Sequence, residues 1–226
     1  MTLRALYTIF RSNPEWSWIM EPQNAQILYD FIKKHPIKKV LDLGTGIGAS
    51  AAVCALALKD KGEIDFHVDT IEQSDKCIKL AKELIPQELQ EHVTFHKSEV
   101  ITWETSQIPH QTFSVYKTLP EGEWDLIIND GPGGFLKDGQ FIDLPNSTIT
   151  ELLLKNRLSP GTFIIWDGRQ HMLRILERYY SDNFWLVRPN QQSDDMNILE
   201  RKDNPVLFND SIFEAYKNST YFSKSV

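Results

Sequence analysis

The stretch Lys39-Val40-Leu41-Asp42-Leu43-Gly44-Thr45-Gly46-Ile47-Gly48-Ala49-Ser50 limits the fold more than any other part of the chain. Val40, Leu41 and Leu43 form the apolar run of a short strand buried on both faces. Gly44, Gly46 and Gly48 then let backbone amides approach a ligand with no β-carbon in the way. A helix beginning near Ser50 aims its free N–H groups at the same place. A plain strand-to-helix turn needs only one or two glycines, so alternating glycines directly after an apolar run point to a ligand cradle.

The remaining periodicity repeats the strand-helix alternation. Ile27, Leu28, Phe31 and Ile32 have helical spacing in a segment that runs from Asn24 to His35-Pro36. Helices are expected over 50–59, over 74–84 with Ser74 as cap, over 148–158 and over 172–180. Strands are expected over 64–71, 93–96, 124–130, 162–166 and 184–187. A polar turn at 190–195 leads into a last strand at 196–200. Residues 101–121 carry no clear pattern, and 133–147 read as a long loop. The alternation predicts an α/β fold: a doubly wound, seven-stranded, mostly parallel sheet whose closing strand runs antiparallel. Ligands of such sheets sit beyond the carboxyl ends of the strands. Here those ends are Asp42 to Gly46, Glu72, Ser98-Glu99, Asn129-Asp130 and Asp167-Gly168, each closing on polar or glycine residues.

No repeat, low-complexity tract or flexible linker divides the sequence, so a single domain over residues 1–226 is expected. Its N-terminal segment, 1–22, carries Phe10, Trp16, Trp18 and Met20 between prolines, and is expected to pack on the domain or to lid a pocket. Residues 203–226 form a C-terminal extension. A formal charge of −7 disfavours broad electrostatic binding to nucleic acid or to anionic membranes. Cys54 and Cys77 form neither a disulfide nor a metal framework. With no signal-peptide pattern and no membrane-span-length apolar run, a cytoplasmic location is expected. Nothing in the sequence specifies an oligomeric state.

The glycine spacing alone also satisfies a loose nicotinamide dinucleotide fingerprint. Asp42-Leu43-Gly44-Thr45-Gly46-Ile47-Gly48, however, resembles the first motif of class I S-adenosylmethionine-dependent methyltransferases. The resemblance continues in order through Glu72, Ser98-Glu99, Asp130 and Leu158-Ser159-Pro160-Gly161-Thr162, covering about residues 25 to 200. The dinucleotide pattern accounts only for the first two of these elements. The resemblance implies a Rossmann-like methyltransferase fold with S-adenosylmethionine as cofactor. It puts Asp42 near the methionine amino group, with Gly44, Thr45 and Gly46 along the methionine and ribose. It further puts Glu72 at the ribose hydroxyls and Ser98 and Glu99 at the adenine, with Gln73 and Asp130 also among the cofactor-binding residues.

The acceptor depends on the ends of the fourth and fifth parallel strands. Asn129-Asp130-Gly131-Pro132 lacks the Pro-Pro-aromatic sequence expected of DNA-base and glutamine amino methyltransferases. Asp130 and Asp167 resemble the acidic pair of catechol-type O-methyltransferases, in which a divalent cation, Mg or Ca, gathers the acceptor hydroxyls. That pattern has an asparagine after the second aspartate, where this chain has Gly168. Without a metal, His171 is the candidate base, with Lys137 and Asp138 behind it, and Arg169 could clamp an anionic acceptor. The expected activity is O-methylation of a small-molecule hydroxyl, with Asp130, Asp167 and His171 as catalytic candidates. Two alternatives stand beside it: a non-catalytic domain binding S-adenosylmethionine or S-adenosylhomocysteine, and a methyltransferase acting on RNA or protein.

Overall fold

The computed structural model describes residues 1–16, 19–106, 108, 111–137, 140–167, 170–180, 183–188 and 196–202. Two helices, α1 (Leu3–Arg11) and α2 (Pro22–Lys34), precede β1 (Lys39–Leu43) and α3 (Ala49–Lys61). Then come β2 (His67–Glu72), α4 (Asp75–Leu84), α5 (Gln87–Gln90) and β3 (Val93–Lys97). A hairpin of β4 (Val100–Glu104) and β5 (Thr112–Tyr116) leads to β6 (Leu126–Asn129). A second hairpin, β7 (Gly134–Lys137) and β8 (Gln140–Asp143), leads to α6 (Thr148–Leu154). The described part closes with β9 (Phe163–Asp167), α7 (Gln170–Tyr180), β10 (Phe184–Arg188) and β11 (Met196–Arg201).

Seven strands form the central sheet in the order β10-β11-β9-β6-β1-β2-β3. β11 inserts antiparallel between β9 and β10, and the other pairings are parallel. The expected doubly wound sheet with a reversed last strand is therefore the fold observed. Two regions differ from the sequence reading. Residues 101–121 and 133–147 contain the two hairpins, because their short β-branched and aromatic runs pair with each other rather than joining the main sheet. The N-terminal segment contains α1, capped by Thr2, whose hydroxyl accepts from the Ala5 N–H.

The sheet has an apolar layer on each face. Val40, Val68, Leu126, Ile128 and Ile165 face the layer containing α1, α2 and α3. Leu41, Leu43, Ile71, Ile127, Ile164 and Trp166 face the layer containing α6, α7 and Phe113 of β5. This two-sided burial is why β1 reads as a continuous apolar run rather than an alternating one. Almost the whole of α3 is buried, since it packs against α1, α2 and α5 as well as the sheet. Its alanines permit that close approach. Gly62 ends it in a left-handed turn, with its N–H bonded to the Leu58 and Lys59 carbonyls.

Candidate functional site

The turn after β1 is held from behind by the neighbouring strand: the N–H groups of Gly44 and Thr45 both donate to the Ile71 carbonyl, each at 3.1 Å. Gly44 has φ +103°, and a β-carbon there would stand 2.7 Å from the Gly131 nitrogen. The turns following β1 and β6 thus touch backbone to backbone, which draws Asp130 against the glycine turn. Asn146 supports the same corner, its amide donating to the Gly131 carbonyl and, at 3.1 Å, to Asn129 Oδ1. Gly48 differs from the expectation. At φ +95° it starts α3, and a β-carbon would lie 2.8 Å from Ala81 Cβ and 3.0 Å from Ile85 Cδ1, so its small size serves the packing of α4.

Asp42 is fully buried. Its Oδ2 accepts from Thr70 Oγ1 at 2.8 Å and from Ser50 Oγ at 2.9 Å. Its Oδ1 is buried and has no hydrogen-bond partner among the described residues. Burial pushes its pKa up to about 7, against the two hydroxyl donors that favour the ionised form. Asp130 and Glu72 add like-charge repulsion. Glu72 is also buried, and it ties β2 to the turn. Its Oε2 accepts from the Gly46 N–H at 3.1 Å, and its Oε1 accepts from the N–H groups of Gln73 and Ser74 at 2.8 and 2.9 Å. Burial again raises its pKa, with these amides opposing and Asp130 reinforcing. Asp42, Glu72 and Asp130 thus converge on one glycine turn, and none of the groups that shift Asp42 or Glu72 is a cation. Such a site favours a ligand that carries positive charge beside hydrogen-bonding groups.

Ser98 continues the line of strand ends. It is buried, its N–H donates to the Glu72 carbonyl at 3.0 Å, and its Oγ accepts from the Thr118 N–H at 2.9 Å. Glu99 instead points outward: its side chain is 72% exposed and paired with Lys117 at 2.8 Å, which holds its carboxyl below the usual range. Gln73 is exposed, with its N–H on Glu72. Asp130 lines a recess with Ile19, Met20, Gly44, Thr45, Ala49, Ser50 and Ile128. The N-terminal segment therefore packs into the core through Met20 and also covers the turn.

Asp130 and Asp167 follow directly on Asn129 and Trp166, which are register partners on adjacent parallel strands. Asp167 Oδ1 accepts from Asn24 Nδ2 at 2.7 Å. Among the described residues no group of three or more His, Cys, Asp or Glu is arranged to hold a metal ion. His171 lies on α7 and Lys137 on β7, with side chains outside what the structure describes. Asp138, Gly168 and Arg169 lie outside the described residues altogether. The sequence gives Ile19, Asn24 and Thr70 no part in the site, whereas Ser50 stands at the expected start of the helix after the turn and Met20 in the segment expected to pack on the domain or lid a pocket. Thr70 enters through the register that sets it opposite Asp42, a pairing only the folded sheet makes.

A family model described as protein-L-isoaspartate(D-aspartate) O-methyltransferase matches residues 14–120. No curated protein matches the sequence. The O-methyltransferase from Bacillus cereus, solved with S-adenosylhomocysteine, superposes with TM-score 0.56 at 16% identity, over 89% of this chain and 90% of that one. TomG from Streptomyces achromogenes, an O-methyltransferase of tomaymycin synthesis solved with S-adenosylmethionine, gives 0.55 at 14% identity, over 88% and 89%. A putative caffeoyl-CoA O-methyltransferase from Staphylococcus aureus gives 0.55 at 16% identity, over 89% and 92%. At these identities the likeness to solved structures is one of fold. The strand order with its reversed last strand and the likeness to these structures give this chain a Rossmann-like methyltransferase fold.

Proposed function

We propose that this protein binds S-adenosylmethionine at the glycine turn and methylates a hydroxyl of a small molecule. The observation that carries this reading is the convergence of Asp42, Glu72 and Asp130 on the Gly44–Gly46 turn, with Asp42 Oδ1 buried and unpartnered among the described residues. A buried acceptor of that kind calls for a donor, and a methionine ammonium is one that brings compensating charge. Glu72 stands at the end of β2, where ribose hydroxyls reach it. Its three backbone donors hold the carboxylate in one orientation. Ser98 follows as a wall for the base.

When bound, the cofactor supplies a methyl group activated by its sulfonium. The chain aligns an acceptor oxygen with that methyl and removes the acceptor's proton. Asp130 and Asp167, which follow directly on register partners of adjacent parallel strands, are the residues assigned in this reading to the acceptor side. The solved neighbours named as O-methyltransferases support oxygen as the atom methylated. Calorimetry with S-adenosylhomocysteine, followed by assay of its release from S-adenosylmethionine over a library of phenols and alcohols, tests the proposal. Binding with turnover supports it. Binding without turnover on any hydroxyl, amine or protein acceptor turns the reading toward a non-catalytic domain, and binding of a nicotinamide dinucleotide in its place overturns it.

A further inference from the structure

Resting on that reading, we propose that Tyr116 is a positioning residue for the cofactor: carried in by the β4–β5 hairpin, its hydroxyl buttresses the contact between Gly44 and Gly131 and makes the hairpin and the glycine turn one binding unit. A β-carbon added to Gly131 would stand 2.6 Å from Tyr116 Oη, 2.7 Å from Gly44 Cα and 3.0 Å from Gly44 N. The space a side chain would take at Gly131 is thus already shared by the tyrosine oxygen and by the turn that holds the cofactor. Tyr116 is buried, and its ring belongs to the apolar layer with Leu41, Leu43 and Ile127. Ring and oxygen therefore have separable tasks: the ring packs the layer, and the oxygen stands at the two glycines.

The hairpin reaches this corner with two residues on one face of β5, because side chains two apart on a strand point the same way. Ser114 Oγ donates to the Pro132 carbonyl at 3.4 Å, directly beyond Gly131, and Tyr116 follows two residues later. The base of the same hairpin is tied to the other end of the site. The Lys117 N–H donates to the Glu99 carbonyl at 2.8 Å, the Thr118 N–H to Ser98 Oγ at 2.9 Å, and the Ser98 N–H to the Glu72 carbonyl at 3.0 Å. One hairpin thus touches both the residues assigned to base and ribose and the turn assigned to the methionine. β4 and β5 form a two-stranded sheet of their own, with no ladder to the central one, so such contacts are what fix the hairpin against the site.

The test uses the full chain and two readouts that need no acceptor. Tyr116→Phe keeps the ring and removes the oxygen. It is expected to raise the Kd of S-adenosylhomocysteine roughly fivefold by calorimetry, while the melting temperature of the unliganded chain stays within about 2 °C of wild type. A purely structural tyrosine would give the reverse, a lowered melting temperature with an unchanged Kd, and that result overturns the proposal. Hydrogen exchange read by mass spectrometry is the second measurement. In wild type, S-adenosylhomocysteine is expected to slow exchange over residues 112–116 as well as over the glycine turn, and in Tyr116→Phe to slow it at the turn alone. No slowing over 112–116 in wild type overturns the proposal without any variant, so the test holds even if Tyr116→Phe fails to fold. Failure of wild type to bind S-adenosylhomocysteine at all overturns the underlying reading instead, so the two failures are distinguishable.

Discussion

Burial with one carboxylate oxygen left over makes Asp42 responsive to both pH and ligand. Its pKa lies near 7 in the folded chain against 3.8 in the unfolded one, so between those values the folded state holds a proton that the unfolded state has lost. Its contribution to stability is therefore fully present below pH 3.8 and falls by up to about 1.4 kcal/mol per pH unit until pH 7 is reached. Asp42→Asn should flatten that slope in denaturant melts from pH 4 to 8 while weakening cofactor binding. A bound ammonium favours the ionised carboxylate, so S-adenosylhomocysteine binding at pH 6.5 should release a proton. The check is calorimetric enthalpy measured in two buffers of different ionisation heat. Glycines at the same scale separate two causes of strain. Gly44 and Gly62 both have positive φ, yet a β-carbon meets Gly131 backbone at 2.7 Å in the first and nothing within 4 Å in the second. Gly62→Ala should cost about 1 kcal/mol. Gly44→Ala should cost about 2–3 kcal/mol more and abolish cofactor binding, read by thermal melting and calorimetry.

At the scale of elements, the N-terminal segment is held over the turn by contacts of unequal worth. Glu15 pairs with Lys76 of α4 at 2.6 Å, with side chains 34% and 67% exposed. Tyr7 donates its hydroxyl to the Met20 carbonyl at 2.5 Å, and Met20 reaches the core. Burial pushes the Tyr7 phenol up to about 12, with the carboxylates of Glu21 and Asp167 adding to it, so it stays a donor throughout the working pH range. Lys76→Ala should shift stability by less than about 1 kcal/mol, as exposed pairs do. Met20→Ala should cost about 2 kcal/mol and speed dissociation of S-adenosylhomocysteine, because it empties both a core position and the wall of the recess. Stopped-flow displacement would show the difference, and equal off-rates for the two variants would remove Met20 from the site. The hairpins β4–β5 and β7–β8 show the limit of local pattern. Phe113 and Val115 are fully buried, Phe113 in the apolar layer that contains α6, yet nothing in residues 101–121 reveals which surface will cover them. Without that surface, short β-branched runs read equally as loop or strand.

For the whole molecule, a ligand that binds only the folded state stabilises it by mass action. S-adenosylhomocysteine at a hundred times its Kd should add about 2.7 kcal/mol and raise the melting temperature of a chain this size by roughly 5–10 °C, while a nicotinamide dinucleotide should leave it unmoved. No helix among the described residues is long and apolar enough to cross a membrane. The alternation of strands and helices, the reversed last strand and the placing of Asp42, Glu72, Ser98, Asp130 and Asp167 at strand ends were legible along the chain. Buried strands and their glycine turns are local patterns, and the carboxyl ends of parallel strands meet at one edge whatever covers the sheet. Tertiary structure decided the rest. It turned Gly48 toward α4 rather than the ligand and sent Glu99 out to Lys117. It laid Met20 over the turn and brought Asn24 to within 2.7 Å of Asp167. Each of these depends on side chains from elements far apart in sequence. A hydrogen bond spanning 143 residues leaves no periodicity for the sequence to show.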